Sequence, residues 1–351
     1  MPGTLTDINE QIDQAVDHGV NYLYDHQLPN GEFMFYYAPD EKMLEWCVPD
    51  STVFPISLVA SCLLQIKDRP KVKSIHAAAV GFLQYQMMRG GVWNYFTKWN
   101  PLYKYSPADV DDTVFASHVL RSLSVSVPDN KELLLANRNA EGLFYTWIVS
   151  RFSMRLLGKH WKTVFREFKA PVKSLLFWFK HEGARGDIDA MVNANVLHYL
   201  GINTDTMPVV DYLLKMLAEK RESNADKWYH NSNLLYYFIS RSYSSGNELE
   251  PAKQLIIDRT YAQYNDGGYF GNSSLDNAFA ILTLLNFKHS DSRLDAAVQH
   301  LINAQQSAGN WERNIFFYAG PSKIVGWGSE EVTTGYCIEA LCNYRAFSHA
   351  K

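Results

Sequence analysis

Asp109-Val110-Asp111-Asp112-Thr113 places three carboxyl groups within four residues and opens a segment, DVDDTVFASHVL, that turns at once into small and apolar residues. Two readings of that run are open. Asp is favoured at helix N-caps and in first turns, where it accepts backbone N–H bonds and meets the positive end of the helix dipole, so one or two of the carboxyls can be structural. A third exceeds that need. Like charges a few ångströms apart do not all ionise, and a crowded carboxyl that keeps its proton is a Brønsted acid. Keeping an ordinary Asp protonated at pH 7 costs about 4 kcal/mol, which burial and crowding would have to supply against the pull of the helix dipole. Asp50, Asp187 and Asp276, at the starts of similar segments, read as ordinary caps. His118 lies on roughly the same helical face as Asp111 but two turns deeper, and reads as a core histidine.

The elements that must position these groups are helical. Apolar residues recur at i, i+3, i+4 and i+7 almost throughout, and alternating strand-like runs are scarce, which predicts an all-α fold. Dense apolar segments begin near Asp50, Asp109, Asp187, Asn231, Asp276 and Val332, each preceded by a more amphipathic helix, near 8–26, 71–88, 159–181, 207–220, 250–264 and 291–307. Their spacing is too irregular for an open solenoid. Six hairpins can close a ring, so the expected architecture is a single (α/α)6 barrel over residues 1–351, buried-looking helices inside and amphipathic ones outside. Several outer helices end in a shared phrase: Phe82-Leu83 to Gln86, then Gly90-Gly91-Val92-Trp93; and Leu301 to Gln305, then Gly309-Asn310-Trp311. Weaker copies run from Gln27 to Gly31 and Phe33, and from Gln263 to Gly267-Gly268 and Tyr269. Gly can turn left-handed after a helix, an amide can satisfy the orphan carbonyls there, and the aromatic ring packs over the junction.

Composition narrows the function classes. A net charge of −4 with 20% charged residues gives neither the basic field of a nucleic-acid binder nor the charge of a disordered chain. Four cysteines without metal-ligand spacing read as thiols in a reducing compartment. With no signal-like N-terminus and no run of apolar residues that would span a bilayer, the expectation is a cytoplasmic protein. Nine Trp, 21 Tyr and 19 Phe are heavy usage for such a chain. A stretch at about 144–181 stands apart: Arg151, Arg155, Lys159, Lys162, Arg166, Lys169, Lys173 and Lys180 face one acid, Glu167, and are interleaved with nine Phe and Trp side chains. Residues 151–180 therefore read as an insert suited to an anionic membrane surface or an acidic ligand, or as a solvated outer helix.

The run from Gly90-Gly91-Val92-Trp93-Asn94-Tyr95-Phe96 through Tyr105-Ser106-Pro107-Ala108 into Asp109-Val110-Asp111-Asp112-Thr113 resembles the DxDD region of class II terpene cyclases, and the Gln/Trp phrases resemble that family's QW motifs. The resemblance implies a cyclase β-type domain in which Asp111 protonates a terminal alkene or epoxide while Asp109 and Asp112 hold and polarise that proton. The polyene then closes through carbocations, with no metal or cofactor performing the protonation. It also implies a water-free cavity whose aromatic faces stabilise passing cations. Candidates chosen for their places beside inner-helix starts are Tyr95, Phe96, Trp99, Trp327 and Tyr336. One barrel without an acidic Mg-binding motif is similar to the single-domain cyanobacterial meroterpenoid cyclases. That likeness implies a hydrophobic polyprenyl substrate with an anionic aromatic head, a geranylgeranyl-substituted dihydroxybenzoate. Most class II cyclases bury their acid between two or three helical domains, so a lone barrel must seal its cavity differently, and the basic insert is the candidate lid or membrane contact. Three other readings fit the barrel. A glycoside hydrolase would pair Asp109 or Asp111 with Asp187 or Asp189; a zinc prenyltransferase would need an Asp-x-Cys and a placed His, which the sequence lacks; a non-enzymatic lipid-binding barrel would use the triplet only as a cap.

Overall fold

The structure, a computed structural model, describes residues 5–154, 158–180 and 182–349. Six helices are apolar on nearly every side and pack into a closed ring: Phe54–Cys62, Val110–Ser122, Ala190–Leu200, Ser232–Ser240, Ser274–Asn286 and Glu330–His349, the last returning to the first. A helix greasy all round has to be interior. Around the ring stand Leu5–His26, Pro70–Gln86, Lys131–Ala136, Met207–Ala218, Glu250–Tyr261 and Ser292–Asn303. The last of these buries Leu294, Ala297, Val298 and Leu301, one stripe at helical spacing. The (α/α)6 barrel expected from periodicity is the observed architecture.

The third outer helix is not where the sequence placed it. Residues 159–180 form short helical pieces with a break just before Pro171, and the outer position belongs to Lys131–Ala136, with Leu133 and Leu134 buried. The turn glycines establish this. The Cβ of a side chain at Gly309 (φ +96°) would lie 2.5 Å from His18 O of the neighbouring outer helix, and one at Gly142 (φ +85°) would lie 2.8 Å from Pro208 of the next. Each turn thus leans on the outer helix beside it, and Gly142-Leu143-Phe144 is a concealed copy of the aromatic turn. There Arg138, donating to Leu135 O and Asp205 O, replaces the glutamine. In the overt copies the indole Nε1–H groups of Trp93 and Trp311 donate to Leu83 O and Leu301 O, each at 2.8 Å. Gln305 donates to both Gly309 O and Ala15 O, clamping its turn to the adjacent helix.

Scarce strands still matter. Val48–Asp50, Phe35–Ala38, Gly326–Gly328 and Ile315–Tyr318 form an antiparallel sheet in that order, with Tyr36 opposite Gly328 and Phe317 opposite Trp327. A second pairing sets Asp109 opposite Trp147. All four cysteines are free thiols, three buried and Cys47 half-buried. Among the described residues no helix is long and apolar enough to cross a membrane.

Candidate active site

Helix Val110–Ser122 starts where three segments meet. Asp109 N–H donates to Trp93 O (2.9 Å), Val110 N–H to Thr146 O (3.0 Å), and Thr113 Oγ1 both donates to Asp109 O (2.5 Å) and accepts from Trp93 N–H (3.0 Å). The aromatic turn and the acidic run are therefore one hydrogen-bonded unit, which gives a physical reason for their adjacency in the chain. Asp109 is the N-cap, its Oδ1 accepting Asp112 N–H at 3.2 Å. All three carboxyls are buried, and all three line one cavity of about 310 Å³.

Their surroundings differ. Asp111 Oδ1 accepts Asn195 Nδ2–H at 2.9 Å, and Oδ2 accepts the Tyr229 hydroxyl at 2.8 Å. Behind Asn195, Arg241 donates to the amide oxygen, its guanidinium packed over Phe238 and Phe115. Burial pushes Asp111 up, while Asn195, Tyr229 and the charge of Arg241 pull it back down. Burial and the neighbouring carboxylates push Asp109 and Asp112 well above the usual carboxylate range. Asp112 Oδ1 is buried without a hydrogen-bond partner, which suits a neutral acid far better than a carboxylate. Burial thus raises all three carboxyls, and Asp111 is the one whose charged form two hydrogen-bond donors and a nearby guanidinium support.

The rest of the cavity is aromatic. Tyr95, Phe96 and Trp327, chosen from sequence position, line it, together with Phe177, Trp147, Trp228, Tyr229 and Phe317. Trp327 stacks on Phe317 (5.4 Å, 6° between planes), and its Nε1–H donates to Asp50 Oδ2 at 2.9 Å. Trp99 lies outside. Lys98 N–H is held by Gln86 Oε1, which draws the loop over the outer helix and leaves Trp99 half exposed against Tyr85. Tyr336 also lies off the cavity, packed on Phe316 and Phe279, because its helix begins at Glu330 and carries it down into the core.

The expected caps need correction too. Asp50 belongs to a strand and lines the cavity; Asp187 pairs with Lys227 Nζ at 2.6 Å; Asp276 sits in a first turn that Ser273 caps. Asp189 stands at the N-cap of Ala190–Leu200 but spends its carboxylate on Thr146 and Lys227 N–H, and burial pushes it up to about 6. His118 is set against His198 below the triad, its pKa pushed down to about 4 by burial and by Arg241. Sequence reading missed Asn195, Tyr229, Arg241 and Asp226. The last accepts the Trp228 and Tyr229 N–H groups and so fixes the approach of Tyr229 to Asp111. No group of three His, Cys, Asp or Glu side chains among the described residues could hold a metal ion.

No protein-family model and no curated protein matches the sequence. Solved structures do. A variant of the type II terpene cyclase MstE from Scytonema, in complex with the substrate geranylgeranyl dihydroxybenzoate, superposes with a TM-score of 0.73 at 12% identity, covering 98% of this chain and 100% of that one. This chain has the fold of a type II terpene cyclase. A protein from Actinoplanes gives 0.71 at 18% identity over 95% and 99% of the two chains. The ent-copalyl diphosphate synthase of Streptomyces platensis gives 0.52 at 16% over 83% of this chain and 50% of that one.

Proposed function

We propose that the protein is a class II terpene cyclase, a single catalytic unit that protonates a linear polyprenyl chain and closes it into a polycycle. The observation that carries this reading is Asp111, buried at a ring-lined cavity with one donor on each carboxylate oxygen. A carboxyl group has about four lone-pair sites. Asn195 and Tyr229 occupy two, leaving room for a proton directed into the cavity.

Asp111 transfers that proton to the terminal carbon–carbon double bond or epoxide. Its own charge then develops where Asn195, Tyr229 and, through Asn195, Arg241 already stand, so the conjugate base forms in a preorganised site. The neighbouring acids Asp109 and Asp112 stay neutral and polarise the donor's proton, and the proton released when the cascade ends balances the one that Asp111 gives. The successive carbocations lie among the faces of Tyr95, Phe96, Phe317, Trp327 and Trp228, each stabilising a cation by about 2 kcal/mol in a dry site without trapping it as a nucleophile would. Loss of a proton ends the cascade, and the product is an isomer of the substrate. Among the described residues that line the cavity none is basic. An anionic aromatic head, as in a geranylgeranyl-substituted dihydroxybenzoate, therefore stays at the mouth while the prenyl tail enters first.

The test is a product screen with the full chain: geranylgeranyl dihydroxybenzoate, geranylgeranyl diphosphate and squalene side by side, scored by mass spectrometry for cyclised isomers. Asp111→Asn should fold, bind the accepted substrate and convert none of it. Undiminished turnover in that variant, or cleavage of polysaccharides with no isoprenoid product, defeats the proposal.

A further inference from the structure

The insert is built inside out. Its polar groups face the barrel: Thr163 Oγ1 donates to Arg89 O (2.7 Å), Ser174 Oγ to Tyr105 O (3.1 Å), and buried Glu167 takes both guanidinium nitrogens of Arg185 at 2.7 Å. Its greasy groups face outward. Trp161, Phe165 and Phe168 are exposed at one helical spacing, and on Pro171–Lys180 the residues Val172, Leu175, Leu176 and Phe179 are exposed at positions i, i+3, i+4 and i+7. Phe179 is 78% exposed and Val172 69%. Lys162, Lys169 and Lys173 stand exposed among them; Arg155 and the side chains of Lys159 and Lys180 lie outside the described residues. A contiguous apolar face on a folded protein marks a surface that something covers.

We propose that the outward face of residues 161–179 docks on a bilayer containing anionic phospholipid. Charge selects this occupant. The net charge of the chain is −4, yet this face carries exposed lysines, and its one acid is turned inward and neutralised. A second copy meeting it across a two-fold axis would set lysine against lysine. Apolar side chains dip into the acyl boundary while lysines meet the headgroups, which is how an interfacial amphipathic helix binds. The same helix sends Phe177 inward to the wall of the cavity and against Phe96. The helix that docks is therefore also a wall of the cavity, which would hold the bilayer one helix away from the space that takes the substrate. This goes beyond the cyclase reading and does not need it; lipid docking and isomer formation fail or succeed in separate assays.

The experiment is co-sedimentation of the full chain with vesicles of phosphatidylcholine alone or with phosphatidylglycerol. Leu175→Ser/Phe179→Ser is the apolar variant and Lys169→Gln/Lys173→Gln the charge variant. These side chains are exposed, so unchanged circular dichroism and melting are expected. Wild type should partition onto anionic vesicles, less so at high salt. The serine pair should lower that partition at least about tenfold, and each lysine removed should lower it about fivefold. Three results would overturn the proposal: no partition of wild type onto anionic vesicles, equal partition of the serine pair, or a dimer in solution that the serine pair abolishes while vesicle binding is absent.

Discussion

Replacing Tyr229 by Phe isolates one hydrogen bond at the acid. The ring stays against Phe316 and Phe317, and only the hydroxyl 2.8 Å from Asp111 Oδ2 is lost. A hydrogen bond to a charged group is worth about 1.5 to 3 kcal/mol. As the charge on Asp111 develops in the protonation step, the variant loses that stabilisation, which corresponds to a fall in kcat of roughly 10- to 150-fold. KM should hold, because the hydroxyl is committed to Asp111 and not to substrate. The pH profile adds a sign. Activity needs the protonated acid, so the rate declines as pH rises through the titration of the triad. Tyr229 lowers the proton affinity of Asp111, so its removal should move that descending limb to higher pH while the plateau drops. Steady-state kinetics between pH 5 and 9, on whichever substrate the product screen identifies, give both quantities. A variant with the wild-type kcat, or a limb displaced to lower pH, would refute the idea that this donor stabilises the conjugate base.

Three further outcomes follow from the same geometry. Asp112 binds its proton more tightly folded than unfolded, so its contribution to stability is present below the ordinary carboxylate range and is lost as pH rises. Asp112→Asn should flatten that decline in thermal unfolding curves; a variant as steep as wild type speaks against a retained proton. His118, pushed down from 6.5 to about 4, should remain neutral at pH 5 by NMR and cost the fold stability as pH falls from 6.5 toward 4; a midpoint above 6 contradicts its burial beside Arg241. Trp311→Phe keeps a ring but orphans Leu301 O, and urea denaturation should record a loss of about 1 to 3 kcal/mol; an unchanged midpoint would mean that the indole clip holds nothing.

Periodicity carried the ring of helices because an inner helix and an outer one differ in how much of their circumference is apolar. It failed at residues 159–181 because an amphipathic pattern has no sign: a stripe packed on a core and a stripe turned to the outside have the same spacing. Lys131–Ala136 was hidden by its shortness and by Arg138 standing where a glutamine marks the other turns. Three acids in four residues advertised the site, but the partners of Asp111 did not. Asn195 comes from an inner helix and Tyr229 from a loop, and a lone Asn or Tyr in an apolar chain has no local signature. The choice of Trp99 and Tyr336 rested on nearness in sequence, which a loop tied back by Gln86 and a helix starting at Glu330 converted into distance.

The small sheet sets a timetable for the molecule. It joins Phe35–Ala38 to Gly326–Gly328, so the wall formed by Phe317 and Trp327 requires chain from near both ends. Pairings this remote form late. A ribosome that has released the acidic run must still deliver most of the remaining polypeptide before the chamber has its last side. Full enclosure of the triad therefore arrives with ring closure instead of growing with the chain.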